Sequence, residues 1–340
     1  MTEPVASVII PAWNAAEYLE RAVGSALSQT EQHVEVLIVN DASTDATGEI
    51  AAALAKQDQR VSALTTSIVH GPSAARNVAI AAARGRWIAP LDADDWFKPE
   101  RVERLVAEAE RRGLDLLADN LDLTDHETGL DLGPAVDPQL MALTGEMSLG
   151  RFLRSDWPGR NLRFRGAGFL KPIIRRTFLA KHNLCYDERF RLGEDTLFYA
   201  TAMASGARFG VTASSFYYYS VRLQSISHRS HPTAELIDVN DCIAKCVSVN
   251  AFDEQGLSRL LKLRDAALRF QVLTWSIRVG HWSAARRMAA SLGVQKVASL
   301  ALSKAVTLLV RQVAGVAAGL EKAVSVRRTS RPEQKGGATP

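Results

Sequence analysis

The segment Trp87-Ile-Ala-Pro-Leu-Asp-Ala-Asp-Asp95 sets three carboxylates, Asp92, Asp94 and Asp95, directly behind a short apolar run. The interior of a buried strand cannot carry such charges. At the strand's mouth they can hold a hard divalent cation, which takes oxygen ligands and itself favours phosphate oxygens. An isolated Asp-x-Asp is more often a solvated acidic turn. Several further segments in this chain bear on the same chemistry and tip the balance towards a site.

In Val39-Asn-Asp-Ala-Ser-Thr-Asp45, Asp41 can accept a hydrogen bond from a base ring N–H, or it can help cap the next helix; Ser43 and Asp45 read as caps. In Gly71-Pro-Ser-Ala-Ala-Arg-Asn77, Arg76 falls in the first turn of a helix, where a cation opposes the helix dipole. That placement calls for a carboxylate or ligand partner. Gly193-Glu-Asp195 is a second acidic cluster, at a helix start. Acids there complement the dipole, but a carboxylate so placed can also act as general base towards a bound hydroxyl. Tyr217-Tyr-Tyr-Ser-Val-Arg-Leu-Gln-Ser-Ile-Ser-His228 closes the set. Arg222, Ser225 and Ser227 are placed to grip a diphosphate, and His228 to reach a metal; a single histidine is more often structural.

The elements that must position these residues alternate. Strands are expected at Val5 to Ile10, Val34 to Val39, Val61 to Leu64, Trp87 to Leu91 and Asp115 to Asn120. Helices are expected at Tyr18 to Leu27, Ser43 to Leu54, Ala74 to Arg84 and Pro99 to Arg112. This alternation is α/β with a largely parallel sheet. Ligands in such sheets bind at the carboxyl ends of the strands, which gathers Pro11, Ala12, Asn14, Asp41 and Asp92 around one crevice. From Asp122 to Gly150 the pattern reads as loop. Gly166 to Arg175 reads as a strand leading into a helix to His182, Glu194 to Ser205 as a helix, and Phe209 to Tyr219 as a strand. Beyond Pro232 helix follows helix, with Leu257, Leu260, Leu261, Leu268, Val272 and Trp275 on one apolar face.

The 340 residues carry a net charge of +4, too mild to argue for nucleic acid, and no aromatic-basic stacking pattern supports it. The three cysteines lack Cys-x-x-Cys spacing and read as buried free thiols, which fits a reducing compartment. No signal peptide or spanning helix is expected. A sugar-phosphate nucleotidyltransferase would need a Gly-rich basic loop where Pro11-Ala-Trp-Asn14 stands, and a dinucleotide enzyme would need Gly-x-Gly-x-x-Gly there. A non-catalytic sugar-nucleotide-binding relative would be signalled by loss of an acidic motif; both clusters are intact.

Together, Ser7-Val-Ile-Ile-Pro-Ala-Trp-Asn14, Val39-Asn-Asp-Ala-Ser-Thr-Asp-Ala-Thr47, Ala75-Arg-Asn77, Leu91-Asp-Ala-Asp-Asp95 and Gly193-Glu-Asp195 resemble the family 2 glycosyltransferases of GT-A fold. The resemblance covers residues 5 to 228. It implies an inverting transferase that uses a nucleotide-diphosphate sugar, usually UDP-linked, with Mg²⁺ or Mn²⁺. It further implies that Ala12 and Asp41 approach the uracil with Arg76 nearby, and that Asp92 binds the ribose or sugar side. Asp94 would hold the metal, and Asp195 would act as base beside Glu194. Asn40 stands where many members carry a second Asp. The region from Gly166 through Tyr186-Asp-Glu-Arg-Phe190 to His228 looks like the glucosyltransferases of succinoglycan-type exopolysaccharides. Those extend a lipid-linked oligosaccharide at the cytoplasmic face of the inner membrane, and other surface glycans with other donor sugars are the alternative. The expected organisation is residues 1–115 as the nucleotide-sugar half, 116–230 as the acceptor half, 231–328 as a helical region and 329–340 as a tail.

Residues Gln295 to Glu321 read as a helix on which Lys296, Lys304, Arg311 and Lys322 share one narrow sector beside an apolar face. Such a stripe suits an interfacial helix on an anionic leaflet, at about 1 kcal/mol per well-placed cation. An ordinary packing helix with a solvated basic edge is the bland reading. Truncation after Leu292 is expected to release the protein from anionic liposomes in a flotation assay while sparing donor hydrolysis. Unchanged flotation would return the segment to the bland reading.

Overall fold

The computed structural model describes residues 3–142, 145–157, 164–222, 234–249 and 256–292. The first compact unit is Met1–Gln271, and a second begins at Val272. The first unit is built on one mixed sheet. Its strands are β1 (Ala6–Ala12), β2 (Val34–Asn40), β3 (Val61–Thr65), β4 (Trp87–Pro90), β5 (Trp96–Phe97), β6 (Leu116–Asp125), β7 (Asp131–Pro134), β8 (Ile173–Arg175) and β9 (Phe209–Val221). They lie in the order β3-β2-β1-β4-β8-β6-β9-β5, with β7 paired to β6. β1 to β4 run parallel, as do β6 and β9, while β8 is antiparallel to both its neighbours.

β1, β2 and β4 are near-continuous apolar runs because helices cover both faces, while the edge strand β3 is mostly exposed. Val8, Ile9, Ile10, Val36, Ile38, Val39, Trp87, Ile88 and Ala89 are fully shut from solvent. The helices are α1 (Leu19–Leu27), α2 (Thr47–Gln57), α3 (Pro72–Ala82), α4 (Arg101–Arg112), α5 (Pro138–Met141), α6 (Leu149–Ser155), α7 (Arg176–His182) and α8 (Glu194–Ala204). α3 opens with Pro72 at its first position and α4 closes on left-handed Gly113, as their sequences favour. Helices Ala234–Val249 and Leu257–Arg278 follow. In the second unit, Trp282–Leu292 starts after a turn at Gly280, φ +76°.

Three expectations change. The stretch 122–150 is not all loop: β6 runs on to Asp125 and pairs with β7, and two short helices follow. Positive φ at Gly129 and Gly133 shapes that hairpin, whose polar edge strand has no apolar run to announce it. The strand expected from Gly166 shrinks to Ile173–Arg175, because Pro172 has no N–H to donate and residues 167–169 form a 3-10 turn. The thiols are free but not buried: Cys185 is exposed, and Cys242 and Cys246 are half-buried. No helix among the described residues is long and apolar enough to cross a membrane.

Under the sheet, Arg101 of α4 and Asp119 of β6 form an ion pair at 2.9 Å, both side chains fully buried. Asp119 also accepts from the Phe216 N–H of β9 at 2.9 Å, and Arg101 donates to the Lys171 carbonyl. Removing one partner leaves an uncompensated buried charge, so Arg101→Met is expected to cost about 3–5 kcal/mol. Urea unfolding should show that Arg101→Met/Asp119→Leu recovers part of this loss; strictly additive losses would mean the pair is not coupled.

Candidate functional site

The carboxyl ends of β1, β2 and β4 meet at one crevice, and the loops there are tied to one another by side chains. The Asn14 carboxamide oxygen accepts from Thr44 N–H at 2.9 Å, and its own N–H donates to Ser43 Oγ at 3.0 Å. Asp45 takes the N–H groups of Thr47 and Ala16, at 3.0 and 3.2 Å. Asp45 thus serves the first N–H of α2, as its sequence suggests, whereas Ser43 does not cap that helix: its hydroxyl is taken by the N–H of Asn14, across the crevice loops. Ala12 is buried and Pro11 partly so. The Ala12 carbonyl accepts from the Asp41 N–H at 2.8 Å.

Asp41 orders the loop that leads into α3. Its carboxylate accepts from Thr66 Oγ1 at 2.9 Å, His70 N–H at 3.0 Å and Gly71 N–H at 2.7 Å. Gly71 can bend there because it adopts φ +98°. Both oxygens of Asp41 are taken, so a base N–H reaching this carboxylate must share or displace one of these donors.

Arg76 is buried; α3 starts two residues earlier than expected, which sets Arg76 at its fifth position, past the first turn, yet it has carboxylate partners. Nη2 lies 2.9 Å from Asp92 Oδ1, and Nη1 lies 3.1 Å from Glu194 Oε1 and 3.8 Å from Asp195 Oδ1. Its guanidinium lies over the Tyr186 ring at 5.3 Å, and that ring stacks on Phe198 at 4.1 Å. Asn77 fixes this floor by exchanging hydrogen bonds with the Tyr186 backbone, at 2.8 and 2.9 Å.

Lys171, which sequence reasoning did not single out, completes the cluster. Its ammonium lies 2.9 Å from Asp92 Oδ2 and 2.8 Å from Asp195 Oδ2. Two buried cations thus face three partly exposed carboxylates. Burial opposes charge on Asp92, but Lys171 and Arg76 outweigh it and hold this carboxyl well below the usual range. Burial also opposes charge on both cations, yet Asp195 and Asp92 hold them firmly protonated. Burial and the adjacent Asp195 push Glu194 upward. Asp195 Oδ1 has no hydrogen-bond partner among the described residues.

The other two aspartates of the first cluster have different fates. Asp95 is buried, accepting from the Tyr217 hydroxyl at 2.7 Å and the Ser220 N–H at 2.8 Å. Burial, then Asp94 and Asp92, pushes its carboxyl well up. Asp94 faces the mouth. Arg222 at the end of β9 is bonded to its carboxylate and lies over the Tyr18 ring at 4.6 Å. Arg21, lying over the Trp96 ring at 3.9 Å, donates to the Asp94 carbonyl at 2.9 Å. Burial raises Asp94, and Asp92 adds to this while Arg222 opposes it.

The donor set fits a divalent cation at Asp94. A partly accessible carboxylate, strained by burial and by a neighbouring acid, has already drawn in a cation, Arg222. Asp92 has both oxygens on Arg76 and Lys171, so it is less free to ligate. Among the described residues, no group of three His, Cys, Asp or Glu is placed to hold a metal ion by itself. Mg²⁺ or Mn²⁺ held by one carboxylate and completed by substrate phosphates suits that arrangement. Ser225, Ser227 and His228, and the basic stripe from Lys296 to Lys322, lie outside the described residues.

Residues 7–169 match the model of glycosyl transferase family 2. Among curated proteins, the chain is 39% identical over 227 residues to the succinoglycan biosynthesis protein ExoO of Rhizobium meliloti, covering 66% of this chain and 63% of that protein. It is 38% identical over 234 residues to ExoU of the same organism, covering 67% and 65%. The chain therefore spans somewhat less than two thirds of the length of these relatives. Among solved structures it resembles S. aureus TarS 1-349 in complex with UDP-GlcNAc, with TM-score 0.59 and 20% identity over 84% of this chain and 90% of that one. It also resembles the mannosyltransferase PcManGT of Pyrobaculum calidifontis in complex with GDP-Man and Mn2+, with TM-score 0.52 and 17% identity over 91% and 81%. At these identities the structural likeness speaks for the GT-A fold alone. With that fold and these motifs on one crevice, the chain belongs to glycosyl transferase family 2.

Proposed function

We propose that this protein is an inverting, metal-dependent hexosyltransferase. It moves a sugar, with glucose the first candidate, from a UDP-sugar to a lipid-linked oligosaccharide in bacterial exopolysaccharide synthesis. The observation that carries this reading is Oδ1 of Asp195, a buried carboxylate oxygen that accepts no hydrogen bond among the described residues and whose partner oxygen shares Lys171 with Asp92. The names of the Rhizobium meliloti relatives support the pathway, and the UDP-GlcNAc complex of TarS supports the donor class. The acceptor places the work at the cytoplasmic face of the inner membrane, with the basic stripe from Lys296 to Lys322 as the point of attachment.

In this mechanism Ala12, Asn14 and Asp41 frame the nucleotide end of the crevice, and Asp92 orients the ribose or sugar. Asp195 Oδ1 takes the proton of the acceptor hydroxyl. The oxygen attacks the anomeric carbon from the face opposite the diphosphate, the bond to the diphosphate breaks, and the nucleoside diphosphate leaves with both electrons. Configuration inverts in this single displacement. Arg222 swings from Asp94 to the departing diphosphate, aided by Ser225 and Ser227. A bound divalent cation, held by Asp94 with His228 the candidate second ligand, would supply Lewis acidity at the same diphosphate.

Purified protein should bind or hydrolyse one UDP-sugar in preference to the rest of a panel of UDP-, GDP- and dTDP-sugars. With that donor, Asp195→Asn is expected to lower kcat about 10²- to 10⁴-fold while donor KM stays nearly unchanged. Glu194→Gln should hurt less; the reverse order would reassign the base.

Asp94→Ala should abolish transfer and remove the Mn²⁺-dependent part of UDP binding measured by calorimetry, with the fold intact by circular dichroism. Full turnover of this variant, or of the wild type in EDTA, would sink the metal assignment.

A further inference from the structure

Resting on the transferase reading above, we propose that Lys171 is a positioning residue that ties the donor-side carboxylate of Asp92 to the acceptor-side carboxylate of Asp195. One ammonium takes Oδ2 of each, at 2.9 and 2.8 Å. The two acids come from distant parts of the chain, the mouth of β4 and the first turn of α8, and no backbone hydrogen bond joins those two points among the described residues. Arg76 reaches Asp92 and Glu194 within hydrogen-bond distance but stands 3.8 Å from Asp195. Lys171 is therefore the cation that holds Asp195 directly.

The ammonium is itself fixed. The Lys171 carbonyl accepts from Arg101, whose partner is the fully buried Asp119. The preceding Leu170 carbonyl accepts from the Tyr199 hydroxyl at 3.1 Å, and Tyr199 belongs to α8, the helix that carries Asp195. Pro172 follows and disfavours a helical backbone at Lys171. With its side chain only 7% exposed, Lys171 has few alternative rotamers or partners.

The consequence is a choice of oxygen. Lys171 takes Oδ2 of Asp195, while Oδ1 accepts no hydrogen bond among the described residues and is the oxygen left for the acceptor hydroxyl. Without the ammonium, Asp195 can rotate towards Arg76, and its reactive oxygen leaves line with the sugar held at Asp92. A displacement of about 1 Å in such an arrangement costs on the order of 10²-fold in rate. Asp92 keeps Arg76 in that event, so donor binding should suffer far less than turnover.

The test is Lys171→Met, which keeps the stem and removes the ammonium, together with Lys171→Arg. The expected result is a loss of about 10²-fold in kcat for Lys171→Met, with donor KM and calorimetric UDP affinity within about threefold of wild type. Lys171→Arg, which can still bridge two carboxylates, should recover part of kcat. Turnover of Lys171→Met within fivefold of wild type overturns the proposal. So does a parallel loss of kcat and UDP affinity, or an arginine variant no better than methionine. Should Lys171→Met fail to fold by circular dichroism, the arginine variant and Lys171→Gln carry the same kcat-against-affinity comparison. Wild-type protein inert towards every nucleotide sugar would instead sink the transferase reading, which separates the two failures.

Discussion

Two buried cations, Arg76 and Lys171, hold three carboxylates from separate strand and helix ends, and the crevice depends on that cluster. Taking such charges from water costs several kcal/mol per ion, and mutual attraction repays this only with close geometry. Each cation is therefore an obligatory partner: deleting either leaves buried negative charge uncompensated. The cluster also joins parts of the chain that share little else. Arg76 brings α3, Asp92 the mouth of β4, Glu194 and Asp195 the start of α8, and Lys171 the segment before β8.

The three aspartates of one short turn illustrate how environment divides like residues among roles. Asp92 lies against two cations and stays ionised. Asp95 lies under Tyr217 and Ser220, where burial and its two acidic neighbours favour the protonated form, and it fastens β9 to the turn. Asp94 alone faces the opening, with a guanidinium already drawn to it. Excess negative charge at an accessible carboxylate is what a hard cation and its diphosphate ligand relieve. The aromatic rings of Tyr18 and Trp96, beneath Arg222 and Arg21, shape the mouth and keep these cations in place.

Much of the fold was legible because burial on both faces writes β1, β2 and β4 as apolar runs, and amphipathic helices separate them. The hairpin β6–β7 was not, since a polar edge strand gains its order from partners rather than from its own pattern. For Arg76 the clue was a cation near a helix start, which calls for a carboxylate, and it has Asp92 and Glu194 even though α3 begins earlier, at Pro72. For Asp41 the sequence left two readings open, and the carboxylate is found ordering the loop from Thr66 to Gly71.

The sequence by itself determined which residue types reach the strand mouths, because chain order and strand period fix where Asp41, Asp92 and Asp94 emerge. It determined the family as well, through motifs carried in local runs. Only the tertiary structure decided which of these acids is paired, which is free and which is shut away. Lys171 shows why. Nothing in Phe169-Leu-Lys-Pro172 distinguishes its lysine from a surface one. Its partners, Asp92 and Asp195, lie far along the chain in either direction, and Coulomb attraction acts on distance in space, not on separation in sequence.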